Sequence, residues 1–216
     1  MANDRFGPMS FSALLDDYAS QAPTPGGGTA AAMAGATGYA LLEMACGVAA
    51  KKASGTDLER LNQLASDARR GRAALLAAMT ADSEAYEGIR AASKKIKEQS
   101  LSGTEAAALR SAATRTASGV PLSVARECAT GIRLARTVLK QTRPATRSDV
   151  GVAVALFRAG TLGASYNVLI NLDSSLTAAE RIALSRGASG AHGAAEHDAA
   201  ALGRRLARQT GLKRPR

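Results

Sequence analysis

Apolar residues recur every three or four positions along nearly the whole chain and almost nowhere alternate strictly, so the pattern is helical from end to end. The spacing predicts a short helix from Ser10 to Ala19, with Ser10 as N-cap and Phe11, Leu14, Leu15 and Tyr18 as its apolar face. The run Gln21 to Gly28, with two prolines and three consecutive glycines, cannot continue it. A second helix is expected from about Thr29 to Lys52. Its small residues Gly28, Ala31, Gly35, Gly38 and Ala45 form a stripe that lets another backbone come close. A third helix is expected to open at a capping box, Thr56 to Glu59, and to run to about Ala92. Lys94 to Gly103 reads as a polar loop. Ser102 to Glu105 repeats the capping pattern and starts a helix that Pro121 should kink or restart at Val120. Arg143-Pro144 ends that segment. Ser148 or Asp149 caps the next helix, expected to reach Leu172, and a third capping box, Thr177 to Glu180, opens a last helix toward Arg208.

The predicted architecture is therefore all-α, an antiparallel bundle of long helices. With no internal repeat and 216 residues, one domain over 1–216 is expected, with 1–8 and 210–216 flexible.

Composition sharpens this picture. Apolar residues make up 46% of the chain but aromatics only 3%, with no Trp, so the core must be built from Ala, Leu, Val and Met. Ala is the best helix former and lets helices approach closely. Thr29 to Ala50 is long enough to span a bilayer, but it is mostly Ala and Gly and carries Glu43, so it reads as a buried helix of a soluble bundle. The formal charge of +10 invites a nucleic-acid reading, yet the Arg and Lys are scattered without aromatic interleaving for base stacking. Attraction of an acidic small molecule fits equally well, and the terminal run Lys213 to Arg216 reads as a solvated tail. No nucleic-acid or membrane partner is expected. Cys46 and Cys128 sit in apolar helical stretches without metal spacing and read as buried free thiols in a reducing compartment. Met1 to Pro8 lacks the apolar core of a signal peptide, so a cytoplasmic setting is expected.

Four features are candidates for chemistry. The glycine turn Pro25-Gly26-Gly27-Gly28 precedes a helix N-terminus. It is either a plain connector or an anion cradle made of free amides. Asp82 lies in mid-helix among small neighbours, on one face with Tyr86, and is either a functional or a solvent-facing carboxylate. Asn167 and Asn171 lie four apart in apolar surroundings, where each must find hydrogen-bond partners within the protein or at a ligand. Asp149 shares their helix. Twenty-two residues separate Asp149 from Asn171, about 33 Å along a straight helix. On such a helix the two serve opposite ends, or a second subunit brings them together. His192 and His197 lack metal-ligand spacing, and no metal is expected.

Taken in order, Pro23–Ala45, Ala81–Tyr86, Ala117–Glu127 and Arg147–Leu172 resemble the cyclodeaminase/cyclohydrolase family. That family comprises the cyclodeaminase half of formiminotransferase-cyclodeaminase and stand-alone methenyltetrahydrofolate cyclohydrolases. The resemblance covers nearly the whole chain. It implies a homodimeric helical bundle with a folate site at or near the subunit interface and a tetrahydrofolate derivative as substrate, with no further cofactor. It implies cyclodeamination of 5-formimidoyltetrahydrofolate to the 5,10-methenyl form with release of ammonia. The alternatives are hydrolysis of the methenyl form and folate binding without turnover. By position it places Gly26, Gly27 and Gly28 at the folate and sets Asp82, Asp149, Asn167 and Asn171 on recurring polar positions. On that basis Asp82 is expected near the cationic carbon, Lys52 as a donor or proton carrier, and Asn167 or Asn171 as the residue that orients substrate or water. The glycine turn and the positive surface would hold the glutamate tail. The stretch Ala49 to Gly55 departs from the family: Lys52 keeps a basic residue, but the expected Thr, Gly and aromatic are missing.

Overall fold

A computed structural model describes residues 6–210. Six helices follow in order: α1 (Phe11–Ala19), α2 (Gly27–Ala50), α3 (Gly55–Glu98), α4 (Gly103–Gln141), α5 (Arg147–Ile170) and α6 (Ala178–Thr210), with a single 3-10 turn, Pro144–Thr146, ahead of α5. No strand occurs among the described residues. The antiparallel helical bundle read from the sequence is thus present. The expected flexible ends lie largely outside the described residues, as does the terminal basic run.

Helix starts show where local sequence decides. At α1 the Ser10 hydroxyl accepts the Ala13 amide at 3.2 Å, as expected. At α6 the capping box closes in both directions. The Thr177 amide donates to Glu180 at 2.8 Å, and the Glu180 amide donates to the Thr177 hydroxyl at 3.2 Å. The box expected at Thr56 does not form. Ser54 is the N-cap and Gly55, at φ +54°, starts α3 two residues early, which places Thr56 inside the first turn. Ser102 caps α4 by position, without a side-chain bond. The expected polar loop is shorter than predicted because α3 runs on to Glu98, and α4 passes through Pro121 without a restart.

Antiparallel pairing follows from contacts at both ends of α2. Near its start, Gly28 faces Asp82 of α3 and Gly27 faces Asn167 of α5. Near its end, Glu43 pairs with Arg69 and Arg72 of α3 at 2.8 and 3.0 Å. Those two guanidiniums outweigh the effect of burial and hold the Glu43 carboxyl below its ordinary range. In the middle, the small-residue stripe does what the sequence implies. A Cβ on Gly35 would lie 2.5 Å from Cys128 Sγ, and one on Gly38 would lie 3.0 Å from the Phe157 ring. Tyr39 and Phe157 meet edge to face with centroids 4.8 Å apart, the arrangement aromatic quadrupoles favour. Both cysteines are buried and free, and burial pushes their thiols up to about 11 for Cys46 and about 12 for Cys128.

α2 and the segment Pro144–Ile170 are long and apolar enough to cross a membrane by length and composition. In each, only about half of the most apolar stretch is buried, at 50% and 44%. Each therefore presents an uncovered face rich in small and apolar residues.

Candidate functional site

Asp82 is positioned where two consecutive helices meet, at points 53 residues apart in sequence. The start of α2 meets the middle of α3, and the glycines of the turn make this approach possible. A Cβ on Gly28 would sit within 2.7 Å of the Asp82 Cγ, so only glycine fits. The Thr29 hydroxyl donates to Asp82 Oδ2 at 2.9 Å, and the Thr29 amide also bonds the carboxylate. Asp82 therefore caps α2 from another helix. Burial raises its carboxyl above the ordinary value, and the two bonds from Thr29 oppose that rise. A buried carboxylate with raised affinity for protons is the kind of group that can act as a base near neutral pH.

Around it lies a cavity of about 150 Å³. Gly26, Gly27 and Gly28 line it from α2, Asp82 and Tyr86 from α3, Ala117 from α4, and Asn167 and Asn171 from the end of α5. Asn167 Nδ2 donates to the Gly163 carbonyl at 2.9 Å. Asn171 Nδ2 donates to the Ala117 carbonyl of α4 at 2.8 Å. Behind the carboxylate, the hydroxyl of Tyr18 on α1 is buried without a hydrogen-bond partner. Burial and the charge of Asp82 push that phenol up to about 12.

The glycine turn, Asp82, Asn167 and Asn171 thus come together, although the turn's Pro25 is buried and does not line the cavity. Lys52 and Asp149 do not join them within one protomer. α2 is unbroken from Gly27 to Ala50, so Lys52 lies past its far end, roughly 36 Å from Gly28. α5 is unbroken from Arg147 to Ile170 and runs antiparallel to α2, which leaves Asp149 in its first turn at that same far end. There its negative charge suits the positive end of the helix dipole. The start of α2 is also where the glycine turn was expected to hold the glutamate tail. The carboxylate at the start of α2 is the protein's own, and a second one beside Asp82 would meet like charge. Sequence reasoning missed Thr29 and Tyr18. Thr29 stands directly after the glycine turn, which marks it as a helix-start residue. Nothing local marks its bond to a carboxylate 53 positions away.

A family model described as formiminotransferase-cyclodeaminase matches residues 10–183. Methenyltetrahydrofolate cyclohydrolase of Methylorubrum extorquens is 36% identical over 173 residues, covering 78% of this chain and 83% of that protein. The crystal structure of formiminotetrahydrofolate cyclodeaminase from Thermotoga maritima superposes with a TM-score of 0.76, covering 94% of this chain and 96% of that one at 23% identity. At that identity the likeness is one of fold.

Proposed function

Since the chain belongs to the formiminotransferase-cyclodeaminase family, we propose that its Asp82 cavity hydrolyses 5,10-methenyltetrahydrofolate. It is an enzyme of the folate cyclohydrolase and cyclodeaminase kind. The resemblance read from the sequence put cyclodeamination first. We place hydrolysis first because the relative at 36% identity is a cyclohydrolase and because the site suits that step. The observation that carries the reading is the buried Asp82 carboxylate facing a cavity shared with Asn167 and Asn171. The methenyl carbon is cationic and bonded to N5 and N10. Asp82 takes one proton from a water as its oxygen bonds to that carbon. The bond from carbon to N5 then breaks, the second proton of the water ends on N5, and the formyl group stays on N10. The first proton is released. The negative charge of Asp82 also favours the cation as it binds.

Cyclodeamination remains the second reading, favoured by the description of the matching family model. It additionally needs an acid to protonate the leaving ammonia. Purified protein offered each substrate separates the two. Loss of the near-ultraviolet methenyl absorbance above the spontaneous rate is the expected result. Gain of that absorbance from the formimidoyl form, with ammonia released, would establish deamination. Silence with both would sink the catalytic reading.

We read the functional unit as a homodimer. A cavity of about 150 Å³ falls short of the roughly 300–1,000 Å³ typical of small-molecule sites, so one protomer accommodates only part of a folate. Beside the cavity, Tyr166 and Ile170 are 62% and 82% exposed on α5, and Met44 and Val152 are exposed toward the other end of α2 and α5. A second copy packed antiparallel on this face would cover them. Ala40 stands midway between Gly28 and Lys52 in sequence. A two-fold axis near it would bring the partner subunit's Lys52 to the level of Gly28. Mixing inactive Asp82→Asn and Lys52→Ala proteins tests this. Shared sites regain activity in mixed dimers, and separate sites do not.

A further inference from the structure

The inference rests on the hydrolase reading of the Asp82 cavity and concerns what orients Asn171. Pro121 has no N–H, so the carbonyl four residues earlier, Ala117, receives no helical bond from it. Such a carbonyl needs another donor. Asn171 supplies one, 54 residues away, through Nδ2 at 2.8 Å. Because the group it meets is a carbonyl, only the nitrogen of the amide can face it, and Oδ1 is left on the other side. Asn167 differs: one N–H of its Nδ2 goes to the Gly163 carbonyl of its own helix, and that nitrogen also lies nearest to Gly27.

We propose that Pro121 is a positioning residue: by withholding its amide it makes Ala117 clamp Asn171, so that the cavity presents the oxygens of Asp82 and Asn171 together, a pair suited to the cationic one-carbon bridge of methenyltetrahydrofolate rather than to its neutral hydrolysis product. Gly27 and Gly28 of the first turn of α2 line the cavity beside these oxygens, and the Thr29 amide and hydroxyl are already given to Asp82. Asn171 and Pro121 thereby become specificity-determining for charge, although Pro121 does not line the cavity.

Two measurements on the full chain test this. The first is a double-mutant cycle in denaturant with Asn171→Ala and Pro121→Ala. In the Pro121 background Asn171→Ala strands the Ala117 carbonyl and lowers the unfolding midpoint. In the Pro121→Ala background the helix satisfies that carbonyl, and Asn171→Ala has little further effect. Equal destabilisation in both backgrounds overturns the proposal. The second is kinetic. Pro121→Ala, although it restores a helical bond and raises stability, is expected to raise KM for the methenyl substrate roughly tenfold, the size of one hydrogen bond to a charged group. Product inhibition by the neutral formyl form should change far less. A KM equal to wild type also overturns the proposal. Should Pro121→Ala fail to fold, Asn171→Asp takes its place. It sets an oxygen against the Ala117 carbonyl and must destabilise like Asn171→Ala, and wild-type stability there counts against the clamp. A wild-type protein inert toward the methenyl substrate would remove the hydrolase reading, while the stability cycle would still judge the clamp by itself.

Discussion

The two ends of the bundle are built from the same helices and carry similar residues, yet only one gathers them. At the Asp82 end a carboxylate, two asparagines and a glycine turn converge from α2, α3 and α5, and each is tied to backbone or hydroxyl groups of another turn or helix. At the other end Lys52 is exposed just past α2 and Asp149 occupies the first turn of α5. The difference lies in convergence. Polar side chains become a site where helices leave a gap between them. At a helix terminus facing solvent they meet no such gap within one protomer.

That contrast can be broken most forcefully at Asp82. Asp82→Asn should lower turnover by about 10²–10⁴, the usual worth of a general base, while the protein stays folded. Turnover like wild type would remove Asp82 from the chemistry. The same variant carries a stability signature. Burial raises the Asp82 carboxyl, so the folded state holds its proton more tightly than the unfolded chain. Asp82 therefore favours folding at low pH, and this contribution is lost as pH rises through its folded value. Asp82→Asn should flatten that part of the stability curve measured against pH.

Next in size is a pair of glycines. Gly28→Ala drives a methyl into Asp82 and should destabilise by about 1–3 kcal/mol, as overpacking does, with loss of activity. Gly203 of α6, at the opposite end, has open space where its Cβ would go. Gly203→Ala should stabilise by about 0.5–1 kcal/mol through helix propensity. Equal effects in thermal unfolding would mean the two ends are packed alike. Lys52→Ala and Asp149→Ala should each shift stability by less than about 0.5 kcal/mol, as for ordinary surface changes. A large loss of turnover at unchanged stability would place them in a site shared between subunits. The smallest effect belongs to Glu180, whose bonds from Arg115 and Thr177 hold its carboxyl down to about 2. Its contribution to folding is present above its unfolded value and lost as pH falls toward 2. Glu180→Gln should erase only that acid limb.

Periodicity and punctuation made the helices legible. Where the sequence misled, the competing local effect is identifiable. Gly55 at positive φ pulled the start of α3 ahead of Thr56. Pro121 read as a kink or a restart because its lost bond is visible in sequence. The remedy, Asn171, lies 54 residues away and is not. The glycine turn and Asp82 were both legible as candidates. Their direct contact, by which Asp82 caps α2 beside the glycine turn, arises only when α2 and α3 pack. Lys52 was assigned by resemblance, and helix length alone takes it away from Asp82 within one protomer.

The bond from Asp82 to the start of α2 also bears on how descent in this family is read. A residue that holds a helix end, and on the reading proposed above a reaction centre too, would be kept by two separate selective pressures. A lineage that had given up turnover would still be penalised for losing Asp82, because α2 would lose its cap. An aspartate retained at this position in a relative would therefore mark shared architecture, and would be no proof that the relative is catalytically alive.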